Sequence, residues 1–359
     1  MVELAEIFRL HGAAYQAQFA AGLLPSHRRA MQDIEDCRTA ARGGHLYFCQ
    51  QCQTERYSYH SCKNRHCPKC QNEQANLWLQ SQQQLLLPTH YFLVTFTLPA
   101  ALRPLARQNQ QLVYNLLFRA AAAALLKLAQ DPRFVGGLLG MVGVLHTWTR
   151  ALHYHPHIHF LVTGGGLNKA GAWKAARPDF LVPVKALSRI FRAQFRDRLK
   201  ATPLFSTLPA HLWRQDWVVH SKPVGSGAAA CKYLAPYIFR VAISNNRILK
   251  LEADKVTFKY RESATGKSKR AILSVFEFIR RFLQHVLPAR FVKVRYYGLL
   301  SPANRQLLAR ARRLLAKLPI RLTAAITAPA PVTNTLLCPH CGGPLSLRAT
   351  LKPLLLRPP

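Results

Sequence analysis

The sequence predicts an α+β protein: a palm-like antiparallel sheet flanked by helices, with a cysteine-rich metal module before it and a basic helical region after it. Three observations carry this expectation. Short β-branched and aromatic runs interleave with helical stretches, and they are too short and too closely joined for a large parallel sheet. Six of the nine cysteines fall between Cys37 and Cys70. Against 15 Asp+Glu stand 50 Lys+Arg, a formal charge of +35.

The elements follow in order. Residues 1 to about 36 read as a helical lead-in on Leu4, Ile7, Phe8 and Leu10. Residues 37–72 are the Cys/His block, and a Gln-rich helix then runs to Pro88. His90 to Leu98 is β-branched and aromatic and is closed by Pro99, a strand. An Ala-rich helix covers 105–129. Val142–Thr149 and His157–Thr163 are strands, the second stopped by Gly164-Gly165-Gly166. Leu187–Leu199 is a basic amphipathic helix, Trp217–His220 a short strand, and Ala228–Ile243 a helix despite Pro236. Ile248–Tyr260 alternates like a strand pair, Ser274–Val286 is a helix, and 305–317 is a very basic helix. A Pro/Ala/Thr linker at 324–335 leads to Cys338-Pro-His-Cys341. The expected domains are therefore 1–85, 86–262, 263–325 and a tail at 326–359.

A charge of +35 repels itself unless a polyanion neutralises it. Nucleic acid is the first candidate partner and an anionic membrane surface the second. Against the membrane, the best apolar run, Phe134 to Leu145, falls short of the ~18 residues a span needs and is rich in glycine. Glu3 and Glu6 stand where a signal peptide would be basic, so a reducing cytoplasm is expected, and no small-molecule cofactor is called for.

In such a compartment clustered cysteines favour zinc over disulfides. Cys49-Gln-Gln-Cys52 and Cys67-Pro-Lys-Cys70 are two CxxC pairs, enough for one tetrahedral structural Zn²⁺. Cys37, His45, His60, Cys62 and His66 are left over. Cys37, His45, Cys62 and His66 can supply a second ion, while His45 or His60 can equally be surface residues. Lys63, Arg65 and Lys69 punctuate the block and suit phosphate contact. Cys338/Cys341 is half a site, which a partner chain completes, or which is a truncated ribbon, or which does nothing. Cys231 reads as a small core residue.

His153-Tyr-His155-Pro-His157-Ile-His159 holds the second candidate site. On a strand His157 and His159 share one face, with Ile158 opposite. Two imidazoles so placed make half of a divalent-metal site, and His146 on the preceding strand is the expected third ligand. Metallohydrolases also use His-x-His but add carboxylates. Here no acidic residue lies between Asp131 and Asp179. That argues for a metal that polarises a phosphate. The bland alternative is a set of satisfied strand histidines.

Tyr233 and Tyr237 stand at i and i+4 on the expected helix. A phenol can attack phosphorus if neighbouring cations such as Lys232 or Arg240 lower its pKa. Two tyrosines on a helix are more often packing residues, and Pro236 should kink the helix between them.

Taken together the chain resembles the rolling-circle insertion-sequence transposases of the HUH tyrosine class, the IS91 family. The resemblance covers nearly the whole chain. It rests on Cys37-Arg-Thr-Ala40, Gly43-Gly-His45, the run Ser61 to Gln71, and Thr95-Phe-Thr-Leu-Pro99. It continues through His155 to His159 with the three glycines, Tyr233 to Tyr237, Arg240 to Asn245, and Tyr297-Gly-Leu-Leu300. The resemblance implies Mg²⁺ or Mn²⁺ at His157/His159 and nucleophilic tyrosines at Tyr233 and Tyr237. It further implies a 5′-phosphotyrosine intermediate and transposition through single-stranded DNA. The zinc module would help to recognise transposon ends, and the sheet would resemble the palm of rolling-circle replication initiators. Basic side chains from 232–250, Arg247 among them, and from 280–317 would line a single-strand groove. The competing reading is a zinc-dependent DNA-binding protein without catalytic activity.

Overall fold

The structure is a computed structural model and describes residues 2–70, 85–226, 241–262, 265–316 and 336–354. In chain order the helices α1 (Leu4–Gln18) and α2 (Pro25–Glu35) lead to strands β1 (Gly44–Cys49), β2 (Thr54–Tyr59) and β3 (His90–Thr97). Helices α3 (Arg103–Gln108) and α4 (Gln110–Ala129) precede β4 (Leu138–Trp148), β5 (Tyr154–Leu167) and β6 (Trp173–Ala175). Then come α5 (Val184–Lys200), β7 (Val219–Ser226), β8 (Ile248–Glu252), β9 (Lys255–Arg261), β10 (Ser268–Ser274) and α6 (Val275–Leu283). The last are β11 (Val294–Gly298), α7 (Arg305–Ala316) and β12 (Leu345–Leu351). The molecule is a mixed α+β protein whose sheets are antiparallel.

Two compact units share the chain by interleaving. One joins Met1–Gln74, Val241–Val286 and Ile326–Pro359; the other joins Ala75–Arg240 and Leu287–Ala325. The four consecutive domains expected from the sequence do not coincide with these units. Residues 241–286 and the tail belong with the cysteine block, because β12 pairs with β1 and Phe282 of α6 packs edge-on against Phe8 at 5.5 Å. Pairings between segments so far apart leave no mark on local composition.

The second unit carries a six-stranded sheet in the order β11-β4-β5-β3-β7, with β6 beside β5. Strand alternation sorts its side chains. Phe92, Phe96, Leu145, Ile158 and Phe160 face one way, into a core shared with α4 and α5. Tyr91, Leu93, Val142, Val144 and Leu161 form a smaller cluster on the opposite face. Helix α4, within the expected Ala-rich helix at 105–129, is long and apolar enough to cross a membrane, whereas the sequence points to Phe134–Leu145 as the best apolar run. Thirteen of its residues are buried in the protein, and that burial accounts for its composition.

The glycines near the site are there for space. At Gly143, opposite Phe160, a Cβ would lie 2.5 Å from the Phe160 ring. The Gly164-Gly165-Gly166 run does not stop the strand as expected. β5 continues through it to Leu167, because a Cβ on Gly164, Gly165 or Gly166 would strike the His90 ring, the Lys174 carbonyl or the Leu138 carbonyl respectively. The glycines let three chains approach where β5 meets both β4 and β6.

In the first unit α1 packs on α2 and α6. Ser274 caps α6 by accepting from the Glu277 amide. β8, β9 and β10 form a three-stranded sheet, and β12, β1 and β2 form another with β1 in its centre.

Candidate functional site

Strand β5 lies in the middle of the large sheet, between β4 and β3. Alternation sends Ile158 into the helix-side core and turns His157 and His159 to the other face. In register His146 of β4 stands opposite His157, and Thr95 of β3 stands opposite His159. Ring centroids are 4.8 Å apart for His157 and His159, 5.0 Å for His146 and His159, and 5.4 Å for His146 and His157. One nitrogen from each ring falls within 4.8 Å of the others. The structure therefore brings the three expected histidines into one cluster. His155 belongs to β5 itself rather than to a lead-in before it.

Neighbours fix the rings. His157 donates from Nδ1 to the His155 carbonyl at 2.6 Å, which leaves Nε2 for a ligand. The Thr95 hydroxyl lies 2.9 Å from His159 Nδ1, the arrangement in which Nε2 serves as the ligand atom. His146 stacks on Trp148 at 4.9 Å, and the Lys293 ammonium lies over the Trp148 ring. Burial, with a smaller push from His155, drives the His157 pKa down to about 4, so its imidazole is neutral near pH 7. Arg103 donates to His155 Nδ1 at 2.8 Å, and burial together with that guanidinium lowers the His155 pKa. Three imidazoles on paired strands fit a divalent ion. With no carboxylate in the group among the described residues, the nitrogen donor set is a poor match for Mg²⁺, which prefers oxygen, and Mn²⁺, higher in the affinity order for nitrogen ligands, fits it better.

The sequence reading gave no role to Thr95, Arg103 or His220. Thr95 and the exposed His220 face each other across β3 and β7, in the row that holds His159. The alternation Tyr91, Leu93, Thr95 was the signal for Thr95. Nothing local announces Arg103, which comes from α3.

The cysteines divide differently from the expected pairing. Cys37, Cys62, Cys67 and Cys70 form one group, and Cys49, Cys52, Cys338 and Cys341 form another. The two CxxC pairs of the N-terminal block do not share an ion. Cys49–Cys52 sits at the turn of the β1–β2 hairpin, and Cys37 and Cys62 lie beyond its base, where the Arg38 amide donates to the His60 carbonyl. A six-residue strand at ~3.3 Å per residue separates them by roughly 20 Å.

In the first group the Sγ atoms of Cys37 and Cys62 each lie 3.5 Å from that of Cys70. Hydrogen bonds from Cys62 and Cys67 bring the Cys37 thiol down to about 7, and neighbouring thiols hold Cys70 lower still. Those thiolates in turn hold Cys62 and Cys67 protonated, a like-charge conflict that a dication removes. Cys37, Cys67 and Cys70 are fully buried, as a closed structural zinc requires.

His45 and His66 stand outside both groups. The ring of His45 lies 5.0 Å from that of His60, in a pocket lined also by Arg38, Arg42 and Lys63. Of the expected DNA contacts, Lys63 is exposed and Arg65 half-buried. Lys69 is paired with Glu3 at 2.7 Å. Arg247 donates to the Lys259 and Ala242 carbonyls and lies over Phe258, so it braces the β8–β9 hairpin. Tyr233, Tyr237, Lys232, Arg240 and Cys231 lie outside the described residues.

Two family models match the chain over these two regions. A family model described as a putative transposase matches residues 140–307, the segment that holds the three histidines. A second, described as a transposase zinc-binding domain, matches residues 7–98. The chain belongs to the IS91 family of insertion-sequence transposases, with an N-terminal zinc-binding domain. A putative transposase, y4qJ, from Sinorhizobium fredii is 44% identical over 335 residues, covering 87% of this chain and 84% of that one. The transposase for insertion sequence element IS801 from Pseudomonas savastanoi pv. phaseolicola is 32% identical over 286 residues, covering 74% and 68%. No solved structure gives a significant match. The protein is thus a transposase, an enzyme that cuts and joins DNA, and zinc serves its N-terminal module.

Proposed function

We propose that this transposase cleaves and transfers single-stranded DNA at the face of β5, through a 5′-phosphotyrosine intermediate, in rolling-circle transposition. The observation that carries the reading is the cluster of His146, His157 and His159, which no carboxylate joins among the described residues. Metal centres that activate a hydrolytic water commonly add carboxylate ligands, and none joins this group among the described residues, which favours a chain-borne nucleophile. The antiparallel sheet with its His-Ile-His pair on a central strand is what a palm of the HUH class would present.

The chain's residues would act as follows. His146, His157 and His159 hold Mn²⁺, or Mg²⁺ less favourably. When bound, the ion stabilises the charge that develops on a non-bridging phosphate oxygen. Thr95 and the His155 carbonyl keep two of the imidazoles in the ligating orientation. Tyr233 or Tyr237 loses its phenolic proton and attacks phosphorus. The new O–P bond forms as the bond to the 3′ oxygen breaks; the phenol's proton passes to solvent, and the leaving oxygen takes one from solvent to become a 3′-OH. Attack by a 3′-OH on the phosphotyrosine reverses the sequence and rejoins the strand. The basic pocket of Arg38, Arg42, His45, His60 and Lys63 on the zinc module would hold backbone phosphates of transposon ends.

The test is a single-stranded oligonucleotide carrying an end of the element, incubated with protein and Mn²⁺. A protein–DNA adduct that survives denaturation is expected, lost when Tyr233 and Tyr237 are both changed to Phe. An adduct that persists in that double variant refutes the tyrosine assignment. Tight binding without an adduct on any end sequence leaves only a zinc-dependent DNA-binding protein.

A further inference from the structure

The structure assigns a second structural zinc to Cys49, Cys52, Cys338 and Cys341, a site that clamps the chain's C-terminal tail onto its N-terminal hairpin. The zinc-binding family model ends at residue 98 and contains only half of these ligands.

The geometry is that of two facing knuckles. The four sulfurs lie within 4.8 Å of one another, with Cys49 Sγ 3.5 Å from Cys341 Sγ. Cys49 and Cys338 are buried, so the cluster has a closed inner side. Each CxxC turn is followed by a residue of positive φ, Gln53 at 54° and Gly342 at 72°. Backbone amides in both turns approach the sulfurs. The Cys52 amide donates to Cys49 Sγ at 3.5 Å, and the Gly343 amide to Cys341 Sγ at 3.4 Å. The tail knuckle is closed by Cys338 N–H to the Gly343 carbonyl at 2.7 Å and Gly342 N–H to the Cys338 carbonyl at 2.8 Å. Both knuckles sit at one end of the β12-β1-β2 sheet, since Cys49 pairs with Leu345 and Thr54. The whole is a zinc ribbon assembled from the two ends of the chain.

The packing shows why a metal is needed. In the tail 336–354 only Cys338 and Gly343 are buried. Leu336, Leu337 and Leu347 are more than half exposed, and β2 is exposed along nearly all its length. The Arg348–Glu55 ion pair is on the surface, where such pairs contribute little. Among the described residues no buried apolar core holds β12 in place, so a ladder of backbone hydrogen bonds with a few surface side-chain contacts would have to offset the ordering of the tail. Four thiolates on one Zn²⁺ supply the missing anchor, as in small metal-dependent modules.

Zinc content of the purified full-length protein, measured by plasma mass spectrometry, tests the assignment. Two equivalents per chain are expected, one for each cysteine group. Cys338→Ser with Cys341→Ser should drop the content to one. In hydrogen exchange that variant should lose protection across β12 and keep it across β3, β4 and β5. Cys341→His, which restores a zinc-competent donor, should return the second equivalent. One equivalent in the parent protein would overturn the assignment, and so would two retained in the double serine variant. Disulfides in place of metal at these cysteines under reducing purification would also overturn it. Should the double serine variant fail to fold, the parent stoichiometry and the Cys341→His protein still decide the matter.

Discussion

Thr95 is a small residue with a large assigned task. It fixes His159 through a 2.9 Å hydrogen bond, and Thr95→Val keeps the shape while removing the hydroxyl. Outer partners of metal-bound histidines typically matter about 10–100-fold, so Mn²⁺ affinity should fall by about that factor while folding is kept. Isothermal titration with Mn²⁺ checks it, and an unchanged affinity would remove Thr95 from the site. His157 gives a pH prediction. Its pKa is about 4 in the folded protein and near 6.5 when unfolded. Between these values the unfolded chain binds more protons, so the metal-free protein loses stability as pH falls from about 6.5 to about 4. Above that window His157 contributes no pH dependence. Urea unfolding across pH should show the decline in the parent and a smaller one in His157→Gln.

At the scale of elements, β5 is the strand on which core and site meet. Phe160 is fully buried and touches Phe96, Phe118 and Tyr297 from the helix side, one residue after His159. Phe160→Ala should destabilise by about 3–5 kcal/mol through the cavity it leaves. Gly143→Ala should cost about 1–3 kcal/mol through overpacking against the same ring. Thermal unfolding measures both, and a neutral Gly143→Ala would mean that Phe160 moves aside at no cost. The histidine cluster was legible in the sequence because period-2 alternation is local: His157 and His159 share a face whatever the strand pairs with. His146 required only that neighbouring strands pair antiparallel. The zinc ligands were not legible in the same way. CxxC spacing marks a knuckle but not its mate, and the pair nearest in sequence to Cys49–Cys52 lies beyond the far end of a hairpin. Helix α4 shows a related limit. Its Ala-rich run was read as a helix from 105, whereas the structure breaks at Asn109, and only tertiary packing shows it to be a core helix.

At the scale of the molecule, a charge of +35 and an interleaved chain define what the transposase must do. Such a charge needs a polyanion. If about eight phosphates are contacted on single-stranded DNA, log affinity should fall against log salt with a slope of roughly −6. Fluorescence anisotropy between low and physiological salt measures it, and a slope near zero would remove backbone phosphates from recognition. Interleaving means that both units are closed by late segments: β11 pairs with β4, and β12 with β1. The central strand β1 therefore gains one of its two partners only from residues 345–351. We propose that DNA is cut at the three-histidine face of β5. The most direct test is the yield of covalent protein–DNA adduct against Mn²⁺ concentration, for the parent and for His157→Ala with His159→Ala, with DNA affinity measured alongside. Adduct formation should fall by at least about 100-fold while DNA affinity changes less than about two-fold, since the ligands act on chemistry rather than on backbone contacts. An adduct formed undiminished without those two imidazoles would contradict the proposal.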